Sequence, residues 1–168
     1  VSSSGSAMVV QSRRYPCCFW GDAKSADGTL SILPFVPFND DLNRFTLVVK
    51  NLDALKAKVS WDGSSKSFSR EALAQGINLA AEFPENPFSA QFRKIEGLVA
   101  QKENFETPMI KEVITRFRVT QSLLGDDAEG KAALEKIRTR LLAKNDELHG
   151  QVRAAVLPIQ HTITVIPE

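Results

Sequence analysis

The chain has 168 residues, 43% hydrophobic and 24% charged, which fits a single globular domain and excludes the disordered and fibrous classes. Its 21 Lys+Arg stand against 20 Asp+Glu, so no global field attracts nucleic acid, and bases are interleaved with acids, as in Arg93-Lys94-Ile95-Glu96. No run of about eighteen apolar residues occurs, which excludes a membrane-spanning helix.

The chain starts at Val1 with a Ser/Gly-rich stretch, without a basic region followed by an apolar one. A start at Val that leads straight into strand-like sequence predicts a fragment or a processed product. Residues 8–12 and 15–20 read as extended, β-prone segments split by Arg13-Arg14. Cys17 and Cys18 are adjacent, so they cannot staple distant segments; two free thiols facing opposite sides of a strand fit better than a vicinal bridge, and the redox compartment stays open. Turn residues fill 22–28. In residues 30–38, Pro34 and Pro37 each remove a backbone donor and predict an edge strand or an extended crossing loop.

Phe45, Leu47 and Val49 alternate with polar neighbours, as do Leu55, Ala57, Val59 and Trp61, which predicts two strands with one core face each. Asp62-Gly63 supplies a tight turn before Lys66-Ser67-Phe68, so an antiparallel meander is expected. Ser69 is placed to cap a short helix over 70–75, with Gly76 at its stop.

Beyond Pro87 the period becomes helical. Phe88, Phe92, Ile95 and Val99 share one face, and Phe105, Met109, Ile110, Val113, Ile114 and Phe117 continue the pattern. Thr107-Pro108 predicts a new helix start, and Gly125-Asp126-Asp127 its end. A further helix spans about 129–156, with Leu134, Ile137, Leu141, Leu148 and Val152 in a near-heptad stripe. Leu157-Pro158 ends it, and residues 161–166 form a strand whose simplest partner is the N-terminal sheet. The fold class is therefore α+β: an antiparallel, β-sandwich-like part over 1–86, a helical hairpin over 87–157 and a returning strand over 158–168, in one domain.

Chemistry has few carriers. Only His149 and His161 offer an imidazole; Asp146 and His149 lie three apart on a predicted helix and form the one candidate catalytic pair, against the commoner reading of a solvated helix face. Asp22, Asp27, Asp40, Asp41 and Asp62 fall near loops but lack the order of a helix-loop-helix calcium site, and two adjacent cysteines with two separated histidines give no tetrahedral metal spacing. No phosphate-cradling glycine loop is present, so no metal or other cofactor is expected. Tyr15, Phe19, Trp20, Phe35, Phe38 and Trp61 could form an exposed stacking platform or fill the core. Trp20 and Trp61, each beside a Gly-containing turn, are the best candidates for exposure, and with Tyr15 they are the candidate binding residues.

Arg13-Arg14-Tyr15-Pro16, Pro34-Phe35-Val36-Pro37-Phe38-Asn39, Leu42-Asn43-Arg44, Gly76-Ile77-Asn78-Leu79-Ala80, Asn86-Pro87-Phe88 and Phe105-Glu106-Thr107, in this order and spacing, resemble the C-terminal region of bacterial GDSL-like SGNH hydrolases, a lipase/esterase superfamily. The resemblance covers nearly all of the chain. It does not carry over the family's catalytic blocks: Gly21-Asp22-Ala23 has Ala where the nucleophilic serine belongs, Phe38-Asn39-Asp40 lacks the glycine of the asparagine block, and Asp146-Glu147-Leu148-His149 lacks the usual following proline. Ala23 and Asn39 are also too close to enclose the βαβ units that hold such blocks at the ends of parallel strands.

The resemblance implies an accessory module downstream of a serine ester hydrolase domain, packing on it or shaping its cleft, in a secreted or periplasmic protein. Its expected partner is the catalytic domain of the same parent. The competing readings are a carbohydrate- or protein-binding module and a self-contained hydrolase using Asp146 and His149.

Overall fold

The computed structural model describes residues 2–4, 7–15, 19, 21–22, 24–25 and 28–168. The expected strand through Cys17 and Cys18, together with Trp20, Ala23 and Asp27, lies outside the described residues. The fold is α+β, and it divides into two compact units: Val1–Arg93 with Leu157–Glu168, and Lys94–Val156.

The first unit is built on an antiparallel sheet. Its strands are β1 (Ser2–Ser4), β2 (Ala7–Arg14), β4 (Lys56–Trp61), β5 (Ser64–Ser69) and β7 (Ile159–Pro167), in the order β1-β2-β7-β4-β5. The C-terminal strand returns to the sheet as expected and takes its centre, with Val10 opposite Ile163 on one side and Val59 opposite Val165 on the other. Alternation along β4 and β7 sends Ala57, Val59, Trp61, His161, Ile163 and Val165 to one face, all buried. Asp62 (φ +37°) and Gly63 (φ +99°) make the tight turn between β4 and β5.

Phe45, Val49, Leu52, Leu73, Ile77, Leu79, Phe83 and Phe88 cover that face. They come from β3 (Thr46–Leu47), α2 (Arg70–Gln75), β6 (Ile77–Asn78), α3 (Leu79–Glu82) and the segments joining them. This layer departs from the expected meander. The strand at residues 45–50 shrinks to Thr46–Leu47 and pairs with Ile77–Asn78 rather than with β4. Its backbone is engaged elsewhere: the Phe45 N–H donates to Asn78 Oδ1 at 2.9 Å, the Val49 N–H donates to the Leu73 carbonyl at 2.9 Å, and the Phe45 carbonyl accepts from the Leu79 N–H at 2.9 Å. Ser69 caps α2 as predicted, its hydroxyl accepting from the Ala72 N–H at 3.1 Å, and Gly76 follows at φ +106°.

Residues 30–38 are not extended. A 3-10 turn spans Thr29–Ile32, and α1 (Phe38–Asp41) begins directly after Pro37, whose carbonyl accepts from the Asp40 and Asp41 N–H groups at 3.0 and 2.9 Å. Proline's fixed φ suits a helix start as well as a strand edge, and here the former wins.

The second unit holds most of α4 (Ser89–Pro108), a π-helical stretch over Met109–Ile114, α5 (Thr115–Leu123) and α6 (Ala128–Ala155). Gly125 (φ +51°) turns the chain between α5 and α6, and the Asp127 carboxylate caps α6 by accepting from the Gly130 N–H at 2.9 Å. The helical hairpin thus follows the sequence, except that Pro108 does not start a new helix. The chain passes through it at φ −67° and widens into i→i−5 pairing, as in Thr115 N–H to the Ile110 carbonyl. A π stretch absorbs the lost donor and the ring's clash without ending the rod. The stripe on α6 is half-buried at Leu134, Leu141, Leu148 and Val152, while Ile137 is exposed. No helix among the described residues is long and apolar enough to cross a membrane.

Candidate functional site

The motif asparagines converge. Asn78 Nδ2 donates to the carbonyls of Asn39 and Asn43, each at 2.9 Å, while its Oδ1 accepts from the N–H groups of Phe45 and Ala80 at 2.9 and 3.2 Å. Asn43, buried, donates through Nδ2 to Asn39 Oδ1 at 2.8 Å and accepts from the Phe19 N–H at 3.0 Å. The Asn78 amide therefore makes four hydrogen bonds that tie residues 39–45 to residues 78–80, and Asn43 links that knot to Phe19. Asn86 does the same locally, donating to the Phe83 carbonyl at 3.1 Å and accepting from the Phe88 N–H at 3.0 Å. Beside the first knot lies a cavity of about 80 Å³ lined by Phe19, Gly21, Leu30, Leu33, Asn39 and Asn43, among others.

This frame holds apolar side chains in solvent. Phe35 is 84% exposed and Leu42 75%, with Ile32 and Val36 also exposed. Single exposed apolar residues are ordinary, but four within residues 32–42, next to the bonded Asn39 and Asn43, make a candidate interaction surface. Next to β2, Arg13, Arg14, Tyr15 and Arg44 line an open depression of about 440 Å³. The Arg14 guanidinium carbon sits 5.1 Å over the Phe45 ring.

The predicted binding aromatics separate. Tyr15 is 61% exposed, as a binding residue requires, whereas Trp61 is wholly buried and cannot stack on a ligand. It packs against Phe45, Phe83 and Phe88, with centroids 5.0 to 6.2 Å away, so a strand end beside a turn is here a core position. Phe19 and Phe38 meet edge to face at 4.8 Å.

The two histidines take different places. His161 is buried in the sheet core, its Nδ1 accepting from the Trp61 indole N–H at 3.1 Å and its Nε2 unpartnered. Burial pushes its pKa below the ordinary value, Arg14 adds to this, and Asp62 opposes it. Asp146 and His149 are both exposed on α6. Near His149, Glu106 is held below the ordinary carboxylate range mainly by its hydrogen bond from Lys102, then by one from Asn145 at 3.2 Å. Among the described residues no hydrogen bond joins either imidazole to a serine hydroxyl or a carboxylate, and no group of three or more His, Cys, Asp or Glu is placed to hold a metal.

The exposed apolar segment and the arginine cluster escaped the sequence reading as sites. Their signals were the motifs Arg13-Arg14-Tyr15, Pro34-Phe35-Val36 and Leu42-Asn43-Arg44 in the resemblance, together with Tyr15 and Phe35 among the aromatic residues open to exposure.

No protein-family model and no curated protein matches the chain. Among solved structures the fold is similar to that of a gut microbial diltiazem-metabolizing enzyme, with a TM-score of 0.65 and 17% identity over 99% of this chain. The match spans 44% of the length of that enzyme. At this identity the likeness establishes the shared fold.

Proposed function

We propose that this chain is the accessory C-terminal module of an SGNH/GDSL-type ester hydrolase, docking on a catalytic domain outside these residues and shaping its cleft. The observation that carries the reading is the segment 32–42, where Ile32, Phe35, Val36 and Leu42 are exposed beside the hydrogen bonds among Asn39, Asn43 and Asn78. Apolar side chains grouped in solvent beside a well-bonded frame are what a permanent partner covers. Two further points agree with it: the motif order resembles that superfamily, and the whole chain matches less than half of a longer enzyme.

The serine nucleophile and its base belong, on this reading, to the catalytic domain of a secreted or periplasmic parent. Ester hydrolysis is the test, measured for this chain alone and for the chain joined to its upstream segment. Turnover is expected only from the joined protein, and replacing Phe35 and Leu42 together by Ser should weaken it. Turnover by this chain alone that disappears in His149→Ala would overturn the reading in favour of a self-contained hydrolase.

A further inference from the structure

Three arginines meet where no carboxylate answers them. Arg13 and Arg14 end β2, Arg44 precedes β3, and with Tyr15 they line an open depression beside the sheet. All three are exposed, and among the described residues none has an ion-pair partner. Several bases elsewhere are answered by acids, with Lys66 3.1 Å from Glu82, Arg93 2.9 Å from Glu85 and Arg116 2.8 Å from Glu112, and what sets Arg13, Arg14 and Arg44 apart is that all three line one depression. Like charges gathered without a counter-charge repel one another, so the cluster is most stable with an anion between them.

The residue types narrow that anion. A guanidinium presents a planar fork of donors that matches the paired oxygens of a carboxylate or sulfate. Contact with the Phe45 ring positions Arg14 before any ligand arrives. Tyr15 adds a flat apolar face with a hydroxyl at its rim, 61% exposed beside the cations. The depression, at about 440 Å³, falls in the size range of small-ligand clefts. A nucleic acid would need a longer basic track, and the net charge of +1 with interleaved acids provides none.

We infer that Arg13, Arg14, Arg44 and Tyr15 form a binding site for an acidic saccharide, with the arginines on its carboxylate or sulfate and Tyr15 against a sugar face. The site goes beyond the accessory role and does not rest on it. Binding is measured without any ester substrate, so its failure leaves docking on a catalytic domain standing, and the converse holds equally.

The test is calorimetric titration of the full chain at low salt with an oligogalacturonate, a sulfated oligosaccharide, a neutral galacto-oligosaccharide, an oligoglutamate peptide and inorganic sulfate. An acidic saccharide should bind and the neutral one should not. Arg13→Ala and Arg44→Ala should each weaken binding about tenfold, in line with loss of a charged hydrogen bond, and Arg44→Lys should weaken it less. Tyr15→Ala should weaken saccharide binding while leaving inorganic sulfate unaffected. Circular dichroism checks that these variants are folded; Arg14 stays in place because its side chain also covers Phe45. The inference is overturned if neither acidic saccharide binds, if the neutral one binds as tightly, if Arg44→Glu leaves binding unchanged, or if oligoglutamate is preferred.

Discussion

Lowering the pH from about 7.5 to about 5.5 protonates a histidine in the unfolded chain, whereas burial holds folded His161 below its ordinary value of 6.5. In the folded chain a proton on Nδ1 would break the 3.1 Å bond from the Trp61 indole and place a charge among Phe45, Trp61 and Phe88. The sign follows: below 6.5 the unfolded state binds a proton that the folded state refuses, so the stability present above 6.5 declines as the pH falls toward the folded pKa. The slope can reach at most about 1.4 kcal/mol per pH unit, so the loss one unit below the unfolded value is bounded at about 1.4 kcal/mol. Glu71, Glu106 and Glu168, all lowered from 4.5, contribute stability that is lost only below that value, so they leave this window to the histidine. Urea unfolding at three pH values reads the effect as a falling midpoint at constant m. His161→Phe should flatten the dependence; at neutral pH it leaves the Trp61 N–H unpaired but also removes the unpartnered Nε2, for a net change of about 1–2 kcal/mol. An equal loss in the variant, or none in the natural protein, would refute the reasoning.

Asn78→Ala removes four hydrogen bonds where residues 39–45 meet residues 78–80 and should cost about 2–4 kcal/mol in urea unfolding; a loss under 1 kcal/mol would mean that water replaces the amide. Gly76→Ala should cost about 1–3 kcal/mol, because the residue sits at φ +106° and the new methyl would meet Thr46 Cγ2 at 3.1 Å and Val48 Cγ2 at 3.2 Å; an unchanged melting temperature would contradict that strain. Replacing Phe35 and Leu42 by Ser should change the stability of the chain by no more than about 0.5 kcal/mol per site, since both are exposed, and a large fall in melting temperature would show that they serve this unit's own core.

The regular elements were legible where one period ran long enough to decide. Alternation at Ala57, Val59 and Trp61 found β4, the returning strand was visible in its Thr, Ile and Val content, and the helical stripe found α6. Failures clustered where a single side chain outweighed a local pattern. Residues 45–50 alternate like a long strand, yet Asn78, distant in sequence, takes the Phe45 N–H, and the Leu73 carbonyl takes the Val49 N–H. Pro34, Pro37 and Pro108 were read as marks of extension or of a helix start, and nothing local distinguishes those roles from a helix cap or a π stretch. The burial of Trp61 depended on which aromatic residues arrive opposite it, and these come from residues 45, 83 and 88.

The same separation applies to the motifs. Order and spacing pick out Asn39, Asn43, Asn78 and Asn86 together with Arg13, Arg14, Tyr15, Phe35, Leu42 and Arg44, but the two groups bear different physical burdens. The asparagines spend their hydrogen-bonding capacity inside the unit, on backbone groups and on one another, so they account for why a segment with so little regular structure keeps one shape. The arginines and the exposed apolar residues stabilise nothing comparable in the chain itself, apart from the Arg14 contact with Phe45. Charge without counter-charge and apolar surface without cover lower the stability or solubility of a lone module, and both become favourable only when a ligand or a partner is present. A frame fixed from within that displays such groups outward is what the proposed docking and binding roles both call for.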